Sequence, residues 1–152
     1  MAITTPLSLK GRALRLLSGR EYSRFELERK LGQFEEELGA LAKALDELQA
    51  KGFINEQRVV ESVLNRRSAK LGTARIRQEL QGKGLAPEAV QDAVAQLRAT
   101  EVDRAREVWR KKFGEPAADS AERGKQMRFL ASRGFGGDAI RKVVAEDFED
   151  EA

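Results

Sequence analysis

Residues Gly52–Ala89 read GFINEQRVVESVLNRRSAKLGTARIRQELQGKGLAPEA, and this stretch decides the fold. Asn55 precedes an apolar period at Val59, Val60, Val63 and Leu64 and is a natural N-cap, its short side chain positioned to take an otherwise unpaired backbone N–H. Gly52 can close the preceding helix in the left-handed conformation that glycine adopts at little cost. Arg66, Arg67 and Lys70 crowd the far end, where cations suit the helix dipole. Gly72-Thr73 breaks the run and opens a helix with Ile76 and Leu80 inward. Gly84 stops that helix, and Pro87 fits the first turn of the next. The pattern is helix, basic turn, helix, glycine break, helix.

The same punctuation extends both ways. Upstream, Ser8 caps a helix carrying Leu9, Ala13, Leu16 and Leu17. Ser23 and Glu26 form a capping box for a second helix with Phe25, Leu27 and Leu31. A third helix is predicted from Glu35 to Lys51 on Leu38, Leu41, Ala42, Leu45 and Leu48. Downstream, Val90, Val94 and Leu97 follow Pro87, and a further helix carries Val102, Ala105, Val108, Trp109 and Phe113. Gly114–Ser120 is the clearest linker. Met127 and Leu130, then Ile140, Val143 and Val144, mark two last helices around the break Arg133–Gly137.

A repeat underlies this order. Leu80, Lys83, Gly84, Leu85, Glu88, Ala89 and Val90 are matched fifty positions on by Leu130, Arg133, Gly134, Phe135, Asp138, Ala139 and Ile140. A looser echo joins Ala13/Leu16/Leu17/Arg20, Val60/Val63/Leu64/Arg67 and Ala105/Val108/Trp109/Lys112. The reading is an all-α, elongated and curved array of three tandem three-helix repeats, about nine helices. Residues 1–54, 55–99 and 100–145 are the repeats, and 146–152 form an acidic tail. Each unit is expected to bury its apolar stripe partly on its neighbour.

Composition narrows the function. The chain has 152 residues, 35% of them charged, with no His and no Cys. The usual zinc ligands and the usual general base are therefore absent, and no phosphate-binding loop motif occurs. Glu35-Glu36-Glu37 point in different directions around a helix and suit a solvated first turn. No catalytic, cofactor or metal site is expected. No apolar run approaches the roughly 20 residues of a membrane span, and the absence of cysteine fits the cytoplasm. Net charge is +3 although Glu146, Asp147, Glu149, Asp150 and Glu151 close the chain, so the body is basic and suits a polyanion or an acidic protein surface.

The basic residues separate into two sets. Arg67 falls within an apolar stripe, and Arg20 and Lys112 share its repeat position, which suggests packed stems with the heads on carbonyls or an acid. Arg66, Lys70, Arg75 and Arg77 lie off the stripes on two successive helices. They are expected to form one patch at the Leu71–Thr73 turn, the alternative being an ordinary solvated face. Lys83, Arg110 and Lys111 complete the candidate contact residues. Trp109 sits on a stripe and reads as core.

Taken in order, Leu16-Leu17, Arg20, Ser23, Glu26-Leu27, Lys30-Leu31, then Leu48, Lys51-Gly52-Phe53-Ile54-Asn55, Arg66, Gly72, Ile76, Leu80, Lys83-Gly84 and Phe129-Leu130, Arg133-Gly134-Phe135 resemble the RecX family of bacterial regulatory proteins. The resemblance runs from about Leu9 to Val144. It departs at Glu56-Gln57, where family members often carry an aspartate, and at Val59-Val60, in place of an aromatic-Ala pair. It implies a cytoplasmic, non-enzymatic modulator that binds RecA and its filament on single-stranded DNA. Inhibition of ATPase, strand exchange and co-protease activity follows from the same resemblance, with weaker, salt-sensitive binding to the strand itself and a monomeric state. A general DNA-binding module independent of RecA and a pure protein scaffold are the rival readings.

Overall fold

The computed structural model describes residues 6–149, with side chains to residue 145. Among the described residues there are nine α-helices and no strand: α1 Leu9–Gly19, α2 Arg24–Leu31, α3 Ala40–Ala50, α4 Glu56–Arg67, α5 Thr73–Gly82, α6 Pro87–Ala99, α7 Glu101–Lys112, α8 Ser120–Ser132 and α9 Gly137–Glu149. The local signals act as the sequence implies. Ser8 Oγ accepts from the Gly11 N–H at 3.0 Å and Asn55 Oδ1 from the Arg58 N–H at 3.0 Å. Ser23 and Glu26 close a full capping box. Gly52, Gly84 and Gly134 all adopt positive φ at helix ends.

The third helix starts later than its apolar spacing suggests. A short 3-10 turn, Gly32–Phe34, follows α2, and α3 begins only after Gly39, which takes φ +91°. Leu38 is wholly exposed. The Glu35 carboxylate does not sit in a helical first turn. It accepts the Leu41 N–H at 2.7 Å and so caps α3 from outside. At the other end, helical backbone continues to Glu149, into the acidic tail that begins at residue 146, and residues 150–152 lie outside the described residues.

Three hydrophobic cores form, one per group of three helices. Leu27, Leu45 and Leu48 centre the first, Val59, Val63, Ile76 and Leu80 the second, and Leu130, Val143 and Ala105 the third. Trp109 belongs to the third core, where its Nε1–H donates to the buried Gln126 Oε1 at 2.9 Å and Gln126 Nε2 donates to the Glu115 carbonyl at 3.1 Å. The cores are separate, contrary to the expectation that neighbours share their stripes. An accessible surface of 9877 Å² for 16.9 kDa, against about 7,700 Å² for a compact monomer of that mass, fits an extended array.

The joints between repeats are polar and recur in register. Ser23 Oγ donates to the Lys83 carbonyl at 2.6 Å, Lys83 Nζ meets Glu26 Oε2 at 3.2 Å, and Arg58 Nε meets Glu21 Oε1 at 2.9 Å. One repeat later the Gly72 N–H donates to the Arg133 carbonyl at 2.8 Å and the Ala74 N–H to the Gly134 carbonyl at 3.2 Å. Each joint sets the start of a middle helix against the turn that ends the next repeat's middle helix. Directional hydrogen bonds, from side chains at the first joint and from the backbone at the second, fix both distance and orientation.

Candidate partner-binding surface

The seven cations singled out from the sequence have different fates. Arg66 Nη2 and Arg67 Nε share the Glu79 carboxylate at 3.5 and 3.0 Å, at the end of α4. Arg67 thus holds an acid as its stripe position suggests, although its side chain stays 44% exposed. Its repeat equivalents are also held: Arg20 by Glu26 at 2.9 Å, and Lys112 over the Phe129 ring at 5.3 Å. Arg75 is exposed, but its Nη1 donates to the Ser132 carbonyl at 2.7 Å, which draws it into the joint with the third repeat. Lys83 is drawn into the first joint, with its side chain only 12% exposed. Arg110 pairs with Glu107 at 3.1 Å on the open face of α7. Lys70, Arg77 and Lys111 are exposed and have no ion-pair partner among the described residues.

Arg77 lies at a groove. Helices α5 and α6 leave an open trough of about 550 Å³ whose floor is Leu85, Val90 and Val94 and whose rim carries Arg77 and Arg98. A second trough of about 420 Å³ runs from the same two arginines across Thr73 to Gly136 and Asp138 at the start of α9. Arg77 and Arg98 therefore stand where the two troughs adjoin, at the middle of the array. Neither guanidinium is paired among the described residues. Each offers N–H donors in the planar fork that matches a phosphate or a carboxylate. Arg98 was not singled out from the sequence. Its signal was its place one turn after Val94, beside the α6 stripe rather than opposite it.

The floor of this surface is held rigidly. Glu101 Oε1 accepts the Thr73 N–H at 3.1 Å and the Gly136 N–H at 3.3 Å, tying the start of α5 to the turn before α9. Arg104 reaches from α7 to the end of α4, donating to the carbonyls of Ser68 at 3.0 Å, Leu71 at 2.6 Å and Leu97 at 2.9 Å, and to Thr73 Oγ1 at 3.3 Å. Burial pushes the Arg104 pKa down, with Glu101 only partly offsetting it, and the group remains a cation at neutral pH. Asp138 in the second trough is paired with Arg141. Among the described residues no group of carboxylates is placed to hold a metal ion.

Comparison with known proteins gives a consistent answer. Residues 55–94 match the model of the second three-helix domain of RecX, and residues 99–144 that of the third. The regulatory protein RecX of Leptothrix cholodnii is 51% identical over 145 residues, covering 95% of this chain and 92% of that protein. That of Ralstonia nicotianae is 45% identical over 139 residues, covering 91% and 87%. The crystal structure of RecX from Lactobacillus salivarius superposes with a TM-score of 0.79 at 22% identity, covering 93% of this chain and 95% of that one.

Proposed function

The chain belongs to the RecX family of regulatory proteins, and from that premise we propose that it binds the RecA recombinase and its filament on single-stranded DNA. It acts in the cytoplasm, without chemistry of its own, and inhibits the ATPase, strand-exchange and co-protease activities of the filament. The observation that carries this reading is the pair of unpaired guanidinia, Arg77 and Arg98, over a double trough in the middle repeat. A filament presents phosphates and acidic side chains along one direction. An extended array with its free cations at the centre meets them without needing a deep pocket.

The test is RecA ATPase on single-stranded DNA, titrated with this protein: the rate should fall saturably. A rate that stays flat at excess protein rejects the proposal. The rival, a DNA-binding module indifferent to RecA, is separated by naked single strands. Binding there should be weak compared with the filament. Tight naked-strand binding with a salt slope of about −0.7 per phosphate neutralised, equal with and without RecA, would favour the rival.

A further inference from the structure

The first repeat carries a second surface, distant in sequence from Arg77 and Arg98 and independent of the reading above. A groove of about 360 Å³ lies between α1 and the end of α2, closed at one side by the 3-10 turn. Its apolar lining is Leu7, Leu16, Leu31 and Phe34, and its polar lining is Arg12, Arg15, Lys30 and Gln33. Three cations and no carboxylate face it. Leu7 and Phe34 are 45% and 39% exposed, so apolar surface is left open beside the charge.

None of the three cations is in an ion pair among the described residues. Elsewhere on this repeat Lys10 is matched by Glu47, Arg20 by Glu26, and Arg24 by Glu28 and Asp46, while Arg29, Lys43 and Lys51 have no ion pair among the described residues. What marks the groove is three such cations gathered around one apolar trough. Arg12 Cζ lies over the Phe34 ring, 3.7 Å from its centroid, which holds the guanidinium at the groove. Lys30 is held more loosely, with Nζ 5.6 Å from the Tyr22 ring centroid. Arg12, Arg15 and Leu16 share one face of α1 by helical spacing.

We propose that this groove docks a short acidic peptide segment of a partner protein, with an adjoining apolar side chain seated on Leu7 and Leu16. Charge selects the acids, and the open aliphatic floor selects the anchor. A nucleic-acid strand fits less well for two reasons. One face of Phe34 is already occupied by Arg12, which leaves less ring for a base to stack on. The adjoining cavity, which shares Leu7, Arg12, Gln33 and Phe34, is lined by Glu36 and Glu37, so a continuous polyanion leaving the groove on that side meets like charge. A short peptide avoids this by placing its acids at Arg15 and Lys30 and a neutral or basic end toward Glu36 and Glu37.

The test is fluorescence anisotropy of the full chain with a labelled peptide of sequence Asp-Glu-Glu-Leu-Phe-Gly-Lys. Saturable binding is expected, weakened at least tenfold by the double reversal Arg15→Glu with Lys30→Glu and to a similar degree when Leu-Phe in the peptide becomes Gly-Gly. Both reversed side chains are exposed, and an unchanged melting curve shows that the variant is folded. The reversal Arg77→Glu should leave the peptide affinity unchanged. Absence of binding at millimolar protein overturns the proposal, as does binding indifferent to the double reversal or to loss of Leu-Phe. Displacement of the peptide by oligo-dT at lower concentration than by unlabelled peptide also overturns it, assigning the groove to nucleic acid.

Discussion

Arg75 packs into the space where Gly134 lacks a side chain: a Cβ on that glycine would stand 2.2 Å from Arg75 Cγ. Phe25 and Gly84 have the same relationship fifty positions earlier, with a Cβ on Gly84 falling 2.5 Å from Phe25 Cγ. Each glycine also has positive φ, so a side chain is excluded twice, by conformation and by the neighbouring repeat. Substituting Gly134→Ala or Gly84→Ala should cost about 3 kcal/mol, combining backbone strain with overpacking. Gly52→Ala, where φ is +84° but the space is open, should cost only about 1 kcal/mol. Denaturant titration of the three variants checks this. Equal losses would mean that the joints do not add to the strain.

Glu26 gives the first joint a pH dependence. Partial burial raises its pKa, but the Ser23 N–H and the Arg20 and Lys83 cations outweigh that, and it ends below the ordinary carboxylate value. A depressed folded pKa means that the stabilisation is fully present above the unfolded value of about 4.3. It is lost as the pH falls through the folded value. Glu26→Gln should therefore be less stable than the parent at pH 7, with the gap narrowing below about pH 4. A gap that stays constant on acidification would show that the carboxylate charge is not what stabilises the joint.

Arg104 closes the end of α4 from a distance that only folding provides. Its guanidinium satisfies three carbonyls and the hydroxyls of Thr73 and Thr100 with one planar fork. An ammonium cannot reach the same set, so Arg104→Lys should lose about 2 kcal/mol. Thermal melts of the two proteins decide it, and a shift under a degree would refute the account.

Reversal of Arg77 and Arg98 tests the middle-repeat surface. Arg77→Glu with Arg98→Glu should cut inhibition of RecA ATPase at least tenfold, about 1.4 kcal/mol, while the circular dichroism spectrum and melting temperature hold. Arg75→Glu should behave differently and lower the melting temperature, because Arg75 is bonded across the joint to Ser132. Normal inhibition by the double variant at physiological salt would make Arg77 and Arg98 a solvated face.

Trp109 reports on the third core. Gln126→Leu would leave the Trp109 N–H and the Glu115 carbonyl without this partner, at an expected cost of about 1–3 kcal/mol. Because Trp109 is the sole tryptophan, its emission follows the change directly. An unaltered spectrum and unaltered stability would contradict it.

What the sequence by itself determined was local. Helix starts at Ser8, Ser23 and Asn55, helix ends at Gly52, Gly84 and Gly134, and the stripes that fill each core are short-range consequences of capping, glycine φ and 3.6-residue periodicity. The three-helix repeat followed, because a fifty-residue self-match concerns spacing alone. Leu38 marks the limit of that logic: apolar spacing placed it in α3, yet Gly39 and the Glu35 carboxylate move the helix start beyond it. Only the tertiary structure decided which cations are free. Arg75 and Arg77 are alike in sequence, both off the apolar stripe of α5, and Lys83 stands with them among the candidate contact residues. Their separation depends on a carbonyl at Ser132 and a carboxylate at Glu26, each 57 positions away, brought to them by how successive repeats stack. A charge is spent or left open according to what the fold sets beside it, and that neighbour is not encoded in its own helix.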